Sequence, residues 1–139
     1  MKYQFERCKK SNIVQIGIDA ELIKKEIKEA HYDLKSAEYS INQGNYKWAI
    51  VQSYYSMFHS FRGLLFSRGY KERSQAGLKS AIKSIFVDIG IISGDIFADF
   101  DFAMKAREKA DYDYIYNEKL ARNIFESTKK VINEAKNSF

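Results

Sequence analysis

Arg107, Asp111 and Tyr112 stand together in the run Arg107-Glu108-Lys109-Ala110-Asp111-Tyr112. They offer a cation, a carboxylate and a phenol within little more than one helical turn. Ile96, Phe100, Ala103 and Ala110 recur at spacings of three and four, which marks one face of a helix. Arg107 falls on that same apolar stripe. A guanidinium is rarely buried without a partner. Asp111, one turn along, can supply a carboxylate. In one reading this is an ordinary ion pair at the edge of a bundle, contributing about 0.3–0.5 kcal/mol. In the other, the arginine is held in a groove to meet a phosphate or a partner's carboxylate.

Other residues with chemical potential are sparse. His31 and His59 are the only histidines and fall on different helices. His31 sits beside an apolar stripe and reads as a surface or boundary residue. His59 follows Tyr54-Tyr55-Ser56-Met57-Phe58 on a strongly apolar helix, where a packed, hydrogen-bonded ring competes with a role in a site. Two histidines and one distant cysteine give no zinc spacing. Gly63, Gly69 and Gly77 are isolated, so there is no phosphate-cradling loop, and no Gly-x-Ser-x-Gly elbow occurs. Nothing in these residues calls for a metal or cofactor. Tyr54, Tyr55, Tyr112, Tyr114 and Tyr116 can stack a base or place hydroxyls in a cleft, although such rings more often fill a core with a polar tip. Tyr54 and Tyr55 are expected in the core. Tyr112, Tyr114 and Tyr116 are expected to be partly exposed near Arg107. The candidate residues for binding a nucleotide or a partner are Arg107, Asp111, Tyr112, Tyr55 and His59.

Long helices must position these groups. There is no proline, so the commonest helix breaker is missing. Asp19 is a plausible N-cap for a first helix carrying Ala20, Ile23, Ile27, Ala30, Leu34, Ala37 and Ile41 on one stripe. Gly44 ends it and Asn45 can cap a second, from about Tyr46 to Arg68, whose apolar residues cover more than half the circumference. That makes the second helix the central one. Ser74 caps a short third helix using Leu78, Ala81, Ile82, Ile85 and Phe86. The fourth runs from about Asp95 to Tyr112, and residues 113–116 link it to a fifth capped by Asn117. No strand pattern outscores helix anywhere. The expected fold is all-α: an up-down four-helix bundle with an additional short helix. Residues 1–18 read as an extended or irregular N-terminal arm, and residues 19–139 as the bundle domain.

Composition narrows the classes. The 139 residues suffice for one core. A net charge of +5 permits an acidic or nucleic-acid partner without requiring one. Charge is unevenly placed. Arg62, Arg68, Lys71, Arg73, Lys79 and Lys83 are opposed only by Glu72, whereas Asp88 to Asp101 is purely acidic among its charged residues. The single Cys8 excludes an internal disulfide and fits a reducing cytosol. The charged start lacks the apolar core of a signal peptide, and no run of about 18 apolar residues exists. A cytoplasmic protein with no membrane partner is expected.

Three runs in order, Asn45-Tyr46-Lys47-Trp48-Ala49, Tyr54-Tyr55-Ser56-Met57-Phe58-His59 and Arg107-Glu108-Lys109-Ala110-Asp111-Tyr112, resemble the HEPN family over about residues 19–138. The resemblance implies an up-down helical bundle that forms a two-fold dimer. It also implies a toxin of a toxin–antitoxin pair, encoded beside a minimal nucleotidyltransferase. Many such domains are metal-independent ribonucleases whose catalytic arginine is followed, after four to six residues, by a histidine, two motifs meeting in the dimer cleft. In some pairs the transferase adenylylates a tyrosine just past that histidine. Here the corresponding positions hold Tyr112, Asp113 and Tyr114, and Gln75 in Arg73-Ser74-Gln75-Ala76-Gly77 replaces a histidine frequent in relatives. Neutral tyrosine is a poor general base near neutral pH. The resemblance therefore favours a domain that binds a nucleotide or a partner nucleotidyltransferase. An active ribonuclease using Arg107 and a structural dimeric adaptor are the alternatives.

Overall fold

The computed structural model describes residues 12–139. Cys8 and the first eleven residues of the arm lie outside the described residues. Five helices follow in order: α1 (Ala20–Asn42), α2 (Tyr46–Ser67), α3 (Gln75–Ile82), α4 (Gly94–Tyr112) and α5 (Glu118–Lys136). The long α1, α2, α4 and α5 make the up-down bundle and α3 is the additional short helix. The caps explain most boundaries. Side chains of Asp19, Ser74, Ser93 and Asn117 accept hydrogen bonds from the amides of Glu21, Gly77, Ile96 and Leu120, satisfying donors that a helix start leaves free. Asn45 makes no such bond. Gly44 supplies the left-handed backbone (φ 76°) that turns α1 into α2.

Helix α2 is central, packing on α1, α4 and α5. Tyr54, Met57, Phe61, Leu64 and Leu65 are fully buried. Phe100 of α4 stacks on Tyr54 (6.0 Å between centroids, 6° between planes) and leans on Phe61 at 4.7 Å. Each such side chain contributes roughly 1.5–3 kcal/mol by leaving water. One stripe residue of α1 and one residue off the stripe depart from expectation. Ala20 is exposed, and Glu26 takes a buried place on α1. Trp48, expected on the apolar surface of α2, is 53% exposed at its first turn.

Two further departures concern local structure. Strands β1 (Ile13–Gln15) and β2 (Tyr70–Glu72) pair antiparallel, Ile13 opposite Glu72. The Ile16 amide extends the ladder by donating to the Gly69 carbonyl at 2.7 Å. Three residues are too few to show alternation, yet Ile13 is fully buried in the common core. The third helix also stops short. Beyond Ile82 the chain widens into a π-helical turn, Lys83–Val87, so Phe86 reaches the core from a different winding.

Candidate functional site

Arg107 sits on the inner stripe of α4 with its side chain only 13% exposed. Ala103 and Ala110, one turn before and after, are buried and small, which leaves room for a long side chain to lie against α2. The guanidinium carbon lies 5.5 Å from the ring centre of Tyr54 and 5.7 Å from that of Tyr55. Two electron-rich faces attract a cation in this way. Its carboxylate contact is weak: Nη1 stands 3.8 Å from Asp111 Oδ2, beyond hydrogen-bond range. Nε is buried and has no hydrogen-bond partner among the described residues. A guanidinium carries five donors, so this one retains donor capacity.

Tyr54 ties the centre to α3. Its hydroxyl donates to Gln75 Oε1 at 2.8 Å. Burial pushes the phenol well above its ordinary range, against the pull of Arg107. It therefore remains a neutral donor rather than a base. Because Gln75 Oε1 accepts from Tyr54, the Gln75 amide nitrogen is left to donate elsewhere. The centre thus comprises Arg107, Asp111, Tyr54, Tyr55 and Gln75. The sequence places Tyr54 in the core, and in the structure it is both core and floor of the site. The clue was its place beside Tyr55 on a helix that the Arg107 stripe had to pack against.

The other two candidates stand apart. Tyr112 is 72% exposed, beyond the last buried turn of α4. His59 reaches the centre only through Tyr55, whose ring lies 6.5 Å from its own. Its nitrogens belong to a second network: Nδ1 is 2.5 Å from Glu26 Oε2 and Nε2 is 3.6 Å from Asp33 Oδ2. Arg62, nearly one turn on, donates from Nη1 to Glu26 Oε1 at 3.1 Å. It also brings Nε to 2.9 Å from Glu72 Oε2 of β2, an ion contact without an aligned hydrogen bond. A chain of polar and charged side chains therefore runs Glu72–Arg62–Glu26–His59–Asp33 across β2, α2 and α1. Burial raises the Asp33 carboxyl above its ordinary range, the nearby His59 opposing.

Among the described residues no group of three His, Cys, Asp or Glu side chains is arranged to hold a metal ion. None of the described helices is long and apolar enough to cross a membrane.

Comparison with known proteins gives this architecture a family. Residues 23–138 match the family model described as HEPN domain. Over 91 residues the chain is 26% identical to "Putative toxin MJ0142" of Methanocaldococcus jannaschii, covering 66% of this chain and 62% of that protein. Over 72 residues it is 33% identical to "UPF0332 protein PH1297" of Pyrococcus horikoshii, covering 52% and 51%. The chain thus spans between half and two thirds of the length of these curated relatives. The family match runs from α1 to the end of α5 and takes in both the Arg107 centre and the His59 network. On that match the chain belongs to the HEPN domain family.

Proposed function

We propose that this chain is the HEPN component of a toxin–antitoxin-like two-gene system, working as a homodimer in the cytoplasm. Its Arg107 centre binds the phosphate of a nucleotide or an acidic group of a partner minimal nucleotidyltransferase. One observation carries the reading: Arg107 is largely buried over two tyrosine rings while, among the described residues, its Nε lacks a hydrogen-bond partner and its one ion contact is 3.8 Å away. Burying a guanidinium so incompletely paired costs free energy, and an oxyanion arriving at the centre offsets that cost with charge-assisted hydrogen bonds. The relative named as a toxin supports the two-gene setting.

The experiment is a calorimetric titration of the purified protein with a nucleoside triphosphate, beside Arg107→Ala. Binding that drops about tenfold or more in the variant, with the melting temperature within a few degrees of the parent, is the expected result. Equal affinity in both proteins removes the reading.

The ribonuclease reading draws on the toxin name of the same relative. It needs a proton-transfer group beside Arg107. Tyr54 is a neutral donor, and His59 is engaged by Glu26 and Asp33. Total RNA incubated with the protein and a chelator discriminates. RNA loss that vanishes in Arg107→Ala supports cleavage, and intact RNA supports binding alone.

A further inference from the structure

Lys47, Trp48 and Tyr114 meet from two distant parts of the chain. Lys47 and Trp48 open α2, while Tyr114 lies in the linker between α4 and α5. The Lys47 ammonium lies 5.2 Å from the Trp48 ring centre and 5.9 Å from that of Tyr114. Both rings are open to solvent, Tyr114 at 75%. A large indole left outside a well-filled core is unusual for a helix so apolar.

The backbone shows that the ring of Tyr114 is placed rather than left loose. Tyr114 is the only non-glycine residue at positive φ among the described residues, at 57°. A side chain in that region carries a conformational cost that glycine would avoid. The turn around it is fixed, because the amides of Asp113 and Ile115 both donate to the Lys109 carbonyl, at 3.0 and 3.1 Å. Tyr116 and Ile115 extend the exposed apolar surface on the same linker.

The patch and the Arg107 centre lie along one face of α2. Trp48 and Tyr55 are seven residues apart on α2, hence on one face and about 10 Å apart along the axis. Tyr55 lies under Arg107. A line along α2 therefore runs from a pair of flat rings with a lysine between them to an incompletely paired arginine.

We infer that Lys47, Trp48 and Tyr114 form a base-stacking clamp for a single-stranded nucleic acid whose backbone phosphate lies at Arg107. This rests on the reading of Arg107 as an anion holder. Stacking on an aromatic face tolerates any base, because every base has a π-face. The Lys47 ammonium swings from the rings to the strand's backbone, adding a salt-sensitive contact. The two parts divide the work: Arg107 recognises phosphate, and the clamp separates a strand with bases from a bare polyphosphate.

Trp48 is the only tryptophan in the chain, so its fluorescence reports the clamp directly. The experiment titrates the full chain with single-stranded octa-adenylate and, separately, with inorganic tripolyphosphate. Saturable quenching by octa-adenylate, with none by tripolyphosphate, is expected. Tyr114→Gly removes the ring and relieves the backbone, so it should weaken octa-adenylate binding about fivefold or more with an unchanged or higher melting temperature. Binding of octa-adenylate without a change in emission overturns the clamp, as does Tyr114→Gly binding at parental affinity. Failure of the wild-type chain to bind octa-adenylate also overturns it, and would assign the patch to a protein partner. The two readings fail separately. If Arg107→Ala loses affinity and Tyr114→Gly does not, the clamp falls and the Arg107 reading stands. If Arg107→Ala keeps both affinity and quenching, the Arg107 reading falls, and the clamp loses its phosphate anchor but keeps its stacking.

Discussion

Arg62 and Arg107 are both arginines set against aromatic rings, and the protein treats them in opposite ways. Arg62 lies over Phe58 and Phe66 and meets two carboxylates, Glu26 and Glu72, at 3.1 and 2.9 Å. Glu26 is shared with His59, which also faces Asp33. Three acids thus surround one arginine and one histidine. Among the described residues Arg107 has two tyrosine faces and a single carboxylate at 3.8 Å. Arg62, whose Nε also lacks an aligned hydrogen bond, still has two carboxylates within ion-pair distance and belongs to the architecture. Arg107, with one distant carboxylate among the described residues, is the one for which the proposed function supplies an anion from outside the chain. Proximity to aromatic rings does not distinguish the two cases, whereas the count and quality of acceptors does.

The largest test of that contrast is Glu26→Ala. It leaves Arg62 and His59 short of their common partner in a half-buried setting. Breaking such a pair costs about 2–4 kcal/mol once partial solvent access is allowed for. Chemical denaturation should show this loss with little change in ligand affinity. Arg107→Ala should do the reverse: ligand affinity falls by about 2 kcal/mol equivalent, and the denaturation midpoint scarcely moves. Were the two variants to show the same signature, the contrast would collapse.

Protonation sharpens the same comparison with a smaller effect. Burial raises the Asp33 carboxyl from its ordinary 3.8, so the folded state holds that proton more tightly than the unfolded chain. Its contribution to stability therefore declines as pH climbs from near 3.8 through the raised folded value. Asp101 is the opposite case, because hydrogen bonds from Lys79 and Lys105 hold it below 3.8. Its contribution is present above that value and lost as pH falls through the lowered one. Melting curves across the acid range should show Asp33→Asn gaining on the parent towards neutrality and Asp101→Asn losing. The smallest effect belongs to Tyr54→Phe. It removes the hydroxyl bonded to Gln75 and should cost about 0.5–1.5 kcal/mol, read as a modest drop in melting temperature. If the Gln75 amide serves the site, ligand affinity should fall with it.

The helices were legible because their signals are local and repeated. Asp19, Ser74 and Asn117 announce starts, and the stripes of α2, α4 and α5 carry many turns of evidence. Arg107 and Asp111 were legible for the same reason, being one turn apart on one helix. What escaped was decided by partners far away in sequence. The three residues of β1 become a strand only because Tyr70–Glu72 lies beside them. Glu26 looks like a surface glutamate until Arg62 and His59 come to meet it. Gln75 stands out in the sequence only through the family resemblance, and its bond to the Tyr54 hydroxyl is visible only in the fold. The π-helical turn after Ile82 also has no periodic signature, since a single wider turn leaves no repeat to detect.

The pairing of Ile13–Gln15 with Tyr70–Glu72 has a kinetic side. It joins segments about 60 positions apart, whereas the α1–α2 pair is closed by a turn of a few residues. Short closures form first because they forfeit little chain entropy. The helical pair therefore assembles ahead of the ladder, and Ile13 is among the last core residues to leave water. During synthesis this strand waits, unpaired and apolar, until α2 has been made. A charged substitution at Ile13 should then lengthen that exposure and show itself more in the yield of folded protein than in the speed at which the helices form.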